Sequence, residues 1–394
     1  MKILFKSFIL LILAILVTSC TNEDFNNEIA NNNDNTKMLQ RNSSCANIDK
    51  LAYQDNEGIR KEILVFTSTD YFFEQTECLE EFEERYEEEF LSTVPSGVSE
   101  EELNELDEEY GFNEYQVYLD FNRELEFTSL IHKYIDAERD YLNTEELPEE
   151  LDPDVLFFGL EEPEMAILNI DKAYMIKNKQ HQFIVVFYVD GILVITDGSI
   201  DTLNDISNAE SIENIDGIEK ISNVQVLDPP TYNSCVTSNR EQDYRRLSRK
   251  KRIKGVIKLK AHQAVWFDDN GNGIRDPSGA DSYITIVKNK IKVKAKTIKK
   301  RWWGGWWRYR VGHIKAALGG EAGQGACVGD VFFDKDVEKK EKRNRAKVKY
   351  KHIAPNGTIN GIYASNNRLW GYFSKSHRER FRLDFYNGTY ERLD

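Results

Sequence analysis

The sequence predicts two domains of different fold class: an α+β domain over residues 49–228, and an all-β, sandwich-like domain over residues 253–394. Apolar residues in the first half recur at helical spacing and then form short strands, whereas the second half reads as β throughout. The charge also changes sign, because residues 21–230 carry a net charge of −38 and residues 231–394 one of +21. Two domains with opposite fields are expected, which either dock or remain independently solvated.

The chain of 394 residues begins with the layout of a secretory signal peptide over residues 1–19. Lys2 and Lys6 precede an apolar run from Phe8 to Val17, which is far shorter than the roughly 20 residues of a membrane-spanning helix. The run Val17-Thr18-Ser19-Cys20 then resembles the lipobox of bacterial lipoproteins. That resemblance implies cleavage before Cys20, acylation of this cysteine and anchoring in a membrane.

The residues after Cys20 indicate where the protein is located in the cell and which segment is disordered. Thr21-Asn22-Glu23-Asp24-Phe25 resembles the surface-export signal of lipoproteins from the Bacteroidetes. It implies an outer-membrane lipoprotein exposed at the cell surface, with a periplasm-facing position as the alternative. Residues 20–48 are rich in asparagine and poor in apolar side chains, so we expect a disordered tether.

The acidic half opens with a predicted strand, Ile63–Phe66, and a helix from Tyr71 to Leu91 that is apolar on one face and glutamate-rich on the other. Ser99 and Glu102 predict a capping box that starts a second helix. A third helix and four strands are predicted at 115–142, 165–168, 173–176, 182–189 and 192–195, followed by a short helix and a strand within 201–226. This layout resembles uncharacterised domains of Bacteroidetes lipoproteins, which carry no known activity.

The basic half is predicted to begin with a basic linker, residues 229–252, that contains the tract Arg245–Arg252. Eight strands are expected at 253–267, 283–296, 308–317, 328–333, 346–352, 361–364, 369–373 and 381–385. Such regularly spaced strands favour a β-sandwich.

Four cysteines remain after Cys20, and an exported chain can oxidise them. Three pairings are possible. Pairing within each half, Cys45–Cys78 and Cys235–Cys327, fits the domain division, and the alternative is free, buried thiols.

The run from Asp268 to Asp276, DDNGNGIRD, predicts a structural Ca²⁺ site, because Ca²⁺ prefers six to eight oxygen ligands. The candidate ligands are the side chains of Asp268, Asn270, Asn272 and Asp276 and the carbonyl of Ile274. The run resembles loops of dockerin-like repeats and of calcium-stabilised bacterial β-modules. It departs from an EF-hand because Gly279 replaces the twelfth-position glutamate. The alternative is a polar hairpin turn.

Tryptophans and cations cluster in KKRWWGGWWRYR, residues 299–310. Exposed aromatic rings stack on sugars or bases, and neighbouring cations hold phosphate or sulfate groups. The candidate ligand-binding residues are Trp302, Trp303, Trp306, Trp307 and Arg308. In the alternative, alternate tryptophans enter the core and cations cover the others.

Enzyme motifs such as HExxH, GxSxG and the P-loop are absent from the sequence. We therefore expect a non-enzymatic surface module that binds a glycan or a protein. The alternatives are a hydrolase of extracellular polymers and a purely structural envelope protein. Export makes nucleic acid an unexpected partner for the basic tract.

Overall fold

The structure, a computed structural model, describes residues 45, 48–157, 159–179, 182–188, 191–208, 215–222, 239–266, 284–302, 304–324, 331–353, 362–363, 369–375, 380–384 and 390–391. Residues Cys45–Asp394 form one compact unit. Its described part mixes helices with strands in several sheets, which agrees in coarse form with the predicted fold class.

Six strands of the acidic half form the first sheet, in chain order from edge to edge. They are β1 Asp49–Gln54, β2 Arg60–Phe66, β3 Ala173–Lys177, β4 Gln182–Tyr188, β5 Gly191–Ile195 and β6 Ile218–Ser222. Strands β2 and β3 are parallel, whereas the other neighbours are antiparallel. A parallel pair requires a long crossover, and the helices of this half provide it.

The crossover contains six helices and a 3₁₀ turn at Glu149–Leu151, and a seventh helix follows β5. The helices are α1 Thr69–Thr93, α2 Glu100–Glu109, α3 Gln116–Glu124, α4 Leu130–Asn143, α5 Pro153–Leu156, α6 Glu162–Ile167 and α7 Ile200–Asn208. The capping box predicted at Ser99 and Glu102 is present at the start of α2.

Two predicted elements of this half are wrong. Residues 165–168, predicted as a strand, lie mostly in α6, because Glu161 and Glu164 form a capping box and Pro163 lies in the first turn. The single helix predicted over 115–142 is two helices. Glu126 has a φ of 48°, a left-handed conformation that ends the helical path between them.

Aromatic side chains fill the core between the first sheet and the helices. The rings of Phe72 and Tyr174 stack with centroids 4.1 Å apart, and Phe66 meets both edge-on. Cys45 and Cys78 form a disulfide that joins the start of the compact unit to α1. Helix α7 packs on the opposite face of the same sheet.

The basic half contributes two more sheets. The second sheet contains β7 Asn239–Arg246, β8 Lys251–Trp266, β9 Ile284–Lys300, β10 Trp306–Arg308 and β13 Arg345–Ile353. The third contains β11 Val311–Gln324, β12 Val331–Arg343, β14 Ile362–Tyr363, β15 Leu369–Ser374, β16 Arg380–Asp384 and β17 Tyr390–Glu391. Much of the stretch predicted as a basic linker is therefore strand, because Asn239–Arg246 pairs along β8.

Strand β9 shows how these sheets are layered. Ile291, Val293 and Ala295 point into an apolar core shared by the second and third sheets. Lys292 and Lys294 alternate with them and therefore project from the opposite face, yet both are buried. That face of the second sheet is covered by the acidic half.

Candidate functional site

Buried ion pairs join the two halves of the compact unit. One group, here called the lysine cluster, is formed by cations of β8 and β9 and carboxylates around α5 and α6. Its members are Lys254, Lys258, Lys292, Lys294, Lys296, Asp152, Asp154, Glu161 and Glu162. A buried charge is costly unless an opposite charge accompanies it, and here each cation meets a carboxylate.

Short distances link these groups. Lys254 Nζ lies 3.1 Å from Asp154 Oδ2, and Lys296 Nζ lies 3.4 Å from the same oxygen. Lys294 Nζ lies 2.5 Å from Glu162 Oε1. Asp154 thus receives cations from two adjacent strands, which fixes the short helix α5 against the second sheet.

The lysines control the protonation of the carboxylates. Burial raises the pKa of Asp154, but the ammonium groups of Lys296, Lys258 and Lys254 outweigh burial and hold this pKa well below its ordinary value. The pKa of Glu162 is lowered in the same way, with Lys294 as the main opposing charge. Both carboxyls are ionised at neutral pH and cannot serve as proton donors.

A second group, here called the arginine cluster, joins the helices to the strands of the basic half. Its cations are Arg308, Arg310, Arg343, Arg345 and Lys347, and its carboxylates are Glu80, Glu83, Glu87, Asp107, Glu114 and Glu138. Glu80, Glu83 and Glu87 lie three and four residues apart on α1, so they form one stripe. The glutamate-rich face of this helix is thus an interface.

Arg310 is the most enclosed member of this cluster, with 1% of its side chain exposed. Its Nε donates to both carboxylate oxygens of Asp107 at 2.7 and 2.8 Å, and its Nη1 donates to Glu87 at 2.9 Å. The guanidinium also lies over the ring of Phe112, 4.5 Å from its centroid. Burial raises the pKa of Asp107 to about 6, although Arg310 opposes this rise.

A small cleft of about 10 Å³ borders the lysine cluster, lined by Tyr134, Pro153, Asp154, Phe157, Leu160, Glu161, Glu162, Met165, Lys258, Lys292 and Lys294. The space that a solvent molecule can enter holds about one water. Ligand pockets for organic substrates are typically ~300–1,000 Å³. This cleft suits a bridging water better than a substrate.

The exposed end of the second sheet combines cations with tryptophan. This surface, here called the cationic end, contains Arg246, Arg249, Lys250, Arg252, Lys300 and Trp302, and Trp306 is buried beneath it. The register of β8 against β9 pairs Lys251 with Lys299, and the amide of Lys300 donates to the carbonyl of Lys250 at 2.7 Å. Two segments that are about fifty residues apart therefore meet.

A tight turn presents the tryptophans. The Arg301 amide donates to the Gly305 carbonyl at 3.0 Å, and Gly304 and Gly305 have φ of 99° and 67°. A Cβ at Gly305 would lie 3.0 Å from the Leu142 carbonyl oxygen, so only glycine allows the turn to approach α4 this closely.

Trp302 and Trp306 have opposite environments. Trp306 is 3% exposed, packs with Tyr141 and Leu147, and donates through its indole N–H to the Glu145 carbonyl at 3.0 Å. The Arg252 guanidinium lies over its ring, 4.3 Å from the centroid. Trp302 is 83% exposed at the turn.

Trp307 and Arg308, which were also predicted to bind the ligand, contact side chains of the protein itself. Trp307 is half-buried beside Tyr309, with ring centroids 5.7 Å apart. Arg308 forms ion pairs with Glu114 and Glu138 in the arginine cluster, so its charge serves the interface. Trp303 lies outside the described residues.

Several other predicted sites also lie outside the described residues: Cys20, Cys235, Cys327 and the Ca²⁺ ligands Asp268, Asn270, Asn272, Ile274 and Asp276. Within the described part, no group of three or more histidine, cysteine or acidic side chains is arranged to hold a metal ion. No helix in that part is long and apolar enough to span a membrane.

The buried clusters were not predicted as sites from the sequence, whereas the tryptophan run of the cationic end was predicted as a binding site. Two signals were available: the glutamates at helical spacing on α1, and the alternation of lysine with apolar residues along β9. Both patterns fit a solvated face equally well until the partner surface is known.

No protein-family model matches the chain, and no curated protein matches it. Among solved structures, the crystal structure of a DUF4848 family protein from Bacteroides thetaiotaomicron is similar at 12% sequence identity. The likeness covers 84% of this chain and 97% of that chain, with a TM-score of 0.17. A likeness this weak does not indicate a function.

Proposed function

We propose that the chain is a non-enzymatic binding module of the cell surface whose ligand, a glycan, contacts the cationic end. The observation that carries this proposal is Trp302, a large apolar side chain that is 83% exposed at a turn anchored by buried Trp306. A ligand that stacks on the exposed face of this ring buries apolar surface, which stabilises the complex by ~25 cal/mol per Å². A protein ligand is the alternative occupant of the same surface.

The buried ionisable groups support a binding role over hydrolysis. A retaining or inverting glycosidase needs one carboxyl that stays protonated near neutral pH. Asp154 and Glu162 are held ionised, and Asp107, whose pKa is raised, is enclosed against Arg310. The cleft beside the lysine cluster is also too small for a sugar.

A glycan screen tests the proposal. The mature chain without its lipid, residues 21–394, contains the whole compact unit Cys45–Asp394. We expect it to bind at least one neutral or acidic polysaccharide, and Trp302→Ala to weaken that binding at least tenfold without lowering the melting temperature. Binding that is unchanged in Trp302→Ala would remove the cationic end as the site.

The lipoprotein location rests on the sequence. The lipobox at Val17–Cys20 and the acidic run after it support an acylated Cys20 and an outer-membrane, surface-exposed position. Labelled palmitate should be incorporated into the wild-type chain and not into Cys20→Ser. Protease added to intact cells should degrade a surface-exposed protein and spare a periplasm-facing one.

The finer architecture, an acidic α+β domain and a basic β-sandwich, is also a proposal. It is supported by the shared apolar core between the second and third sheets. The loop Asp268–Asp276 is proposed as a structural Ca²⁺ site of the second domain. Millimolar Ca²⁺ should then raise the melting temperature, and Asp268→Ala should abolish the rise. An equal melting temperature with and without Ca²⁺ would reject the site.

A further inference from the structure

We infer that the cationic end binds an acidic polysaccharide, one that carries sulfate or carboxylate groups. This inference rests on the proposed function, because it names the chemical class of the glycan. It is based on the contact between two cationic segments, residues 246–252 and 299–302, beside the exposed Trp302.

Several cations of the cationic end carry uncompensated charge. In the lysine and arginine clusters every cation contacts a carboxylate. By contrast, Arg249, Lys250 and Lys300 have no carboxylate within ion-pair distance in the part of the chain that the structure describes. The neighbouring Lys251 forms ion pairs with Glu100 and Glu101, with its Nζ 3.3 Å from a carboxylate oxygen of each.

Like charges also lie opposite each other at the cationic end. Arg246 lies directly opposite Arg252 in the β7–β8 pair. Like charges in directly opposed positions destabilise a sheet. A polyanion along the strand ends offsets this repulsion, since its charges lie between the cations.

The aromatic content of this surface favours a polysaccharide over other polyanions. A membrane surface binds through a substantial apolar area together with cations, and single strands of nucleic acid stack successive bases on successive aromatic rings. The described part of the cationic end exposes one large aromatic ring, that of Trp302. One ring that stacks on a sugar, flanked by cations that bind its acidic groups, suits an acidic polysaccharide.

Binding of residues 21–394 to immobilised probes tests the inference. The probes are heparin, polygalacturonate, neutral dextran, single-stranded DNA, and vesicles of phosphatidylcholine with phosphatidylglycerol. We expect heparin or polygalacturonate to bind best, with affinity that falls as salt rises. Arg249→Glu with Lys250→Glu should weaken that binding at least about tenfold.

A matched variant controls for overall charge. Lys177→Glu with Lys179→Glu makes the same change in charge at exposed positions near the end of β3, far from the cationic end in sequence, and should leave binding unchanged. Equal losses in both double variants would overturn the inference, because they indicate a long-range effect of net charge.

The remaining outcomes separate the inference from the proposed function. If a neutral polysaccharide binds through Trp302 and the reversal at Arg249 and Lys250 has no effect, the inference fails and the proposed function stands. Preference for vesicles or DNA over both acidic polysaccharides would also overturn the inference. If no polysaccharide binds at all, both fail.

Discussion

Replacing Arg310 by methionine should destabilise the protein far more than removing a cation at the surface. The change leaves Asp107 without the guanidinium that contacts both of its oxygens, whereas Glu87 keeps Arg343 at 3.0 Å. Removing one partner of a buried ion pair costs ~3–5 kcal/mol. With ~2.1 cal/mol/K of unfolding entropy per residue over roughly 350 residues, a loss of ~4 kcal/mol lowers the melting temperature by about 5 °C.

The loss should also depend on pH. The attraction that Arg310→Met removes exists only while Asp107 is ionised, and the pKa of Asp107 is raised to about 6 by burial. A carboxyl whose pKa is raised by folding stabilises the protein at pH values below its ordinary pKa of 3.8. This contribution to stability is lost as the pH rises through the pKa of the folded state. The deficit of the variant should therefore be larger at pH 8 than at pH 5.

Urea unfolding at both pH values measures this deficit, with Arg139→Met as the control. Arg139 pairs with Asp136 at 2.8 Å, but both side chains are more than half exposed, so its loss should cost only ~0.3–0.5 kcal/mol. Asp107→Asn in the Arg310→Met background should restore part of the stability. Equal losses in the two methionine variants would refute the reasoning that burial makes the arginine cluster essential.

Three further predictions concern other parts of the fold. Stability should decline as pH falls below about 4.5, because the pKa values of Glu83 and Glu162 lie below their ordinary value of 4.5 and that of Asp154 below 3.8; a urea midpoint that is constant from pH 5 to pH 3 would contradict this. Replacing Cys45 and Cys78 by alanine should cost about 4 kcal/mol by loop entropy, since 33 positions separate them, and mass spectrometry with and without reduction before alkylation should detect the bridge in the wild type. Gly319→Ala should cost ~1–3 kcal/mol, because its Cβ would lie 2.2 Å from the Trp370 ring, whereas Gly312→Ala, with 3.8 Å to its nearest neighbour, should be nearly neutral in the same thermal melt.

Local patterns predicted much of the secondary structure. The long apolar alternation of the basic half predicted strands that match β8, β9 and β13 closely, because apolar side chains recur in each at a period of two. The strand predicted at 308–317 covers only the first half of β11. The four-residue apolar run at 165–168 was too short to distinguish a strand from a helix. Only the capping residues Glu161 and Glu164, which bond across a turn, decide for a helix.

The interface could not be predicted from periodicity, because a charged stripe looks the same whether it faces water or an opposite charge. Opposite net charges of the halves left docking and independent solvation equally open. What decides between them is geometry: Glu83 meets Arg345 across 262 positions of sequence, which no local pattern encodes. The tryptophan run 299–310 was predicted as a binding site, but its contact with residues 246–252 was not, since only the β8–β9 register brings the two segments together.

Because the chain is made from its N-terminus, the charged interface affects how readily the incomplete protein aggregates. Asp152 emerges from the ribosome about a hundred residues before Lys254, and Glu83 long before Arg345. An apolar surface waiting that long for its partner would be prone to aggregate. A surface of carboxylates instead stays hydrated and repels its copies while it waits. The acidic half is thus less prone to aggregate while the strands that cover it in the folded protein are still being made.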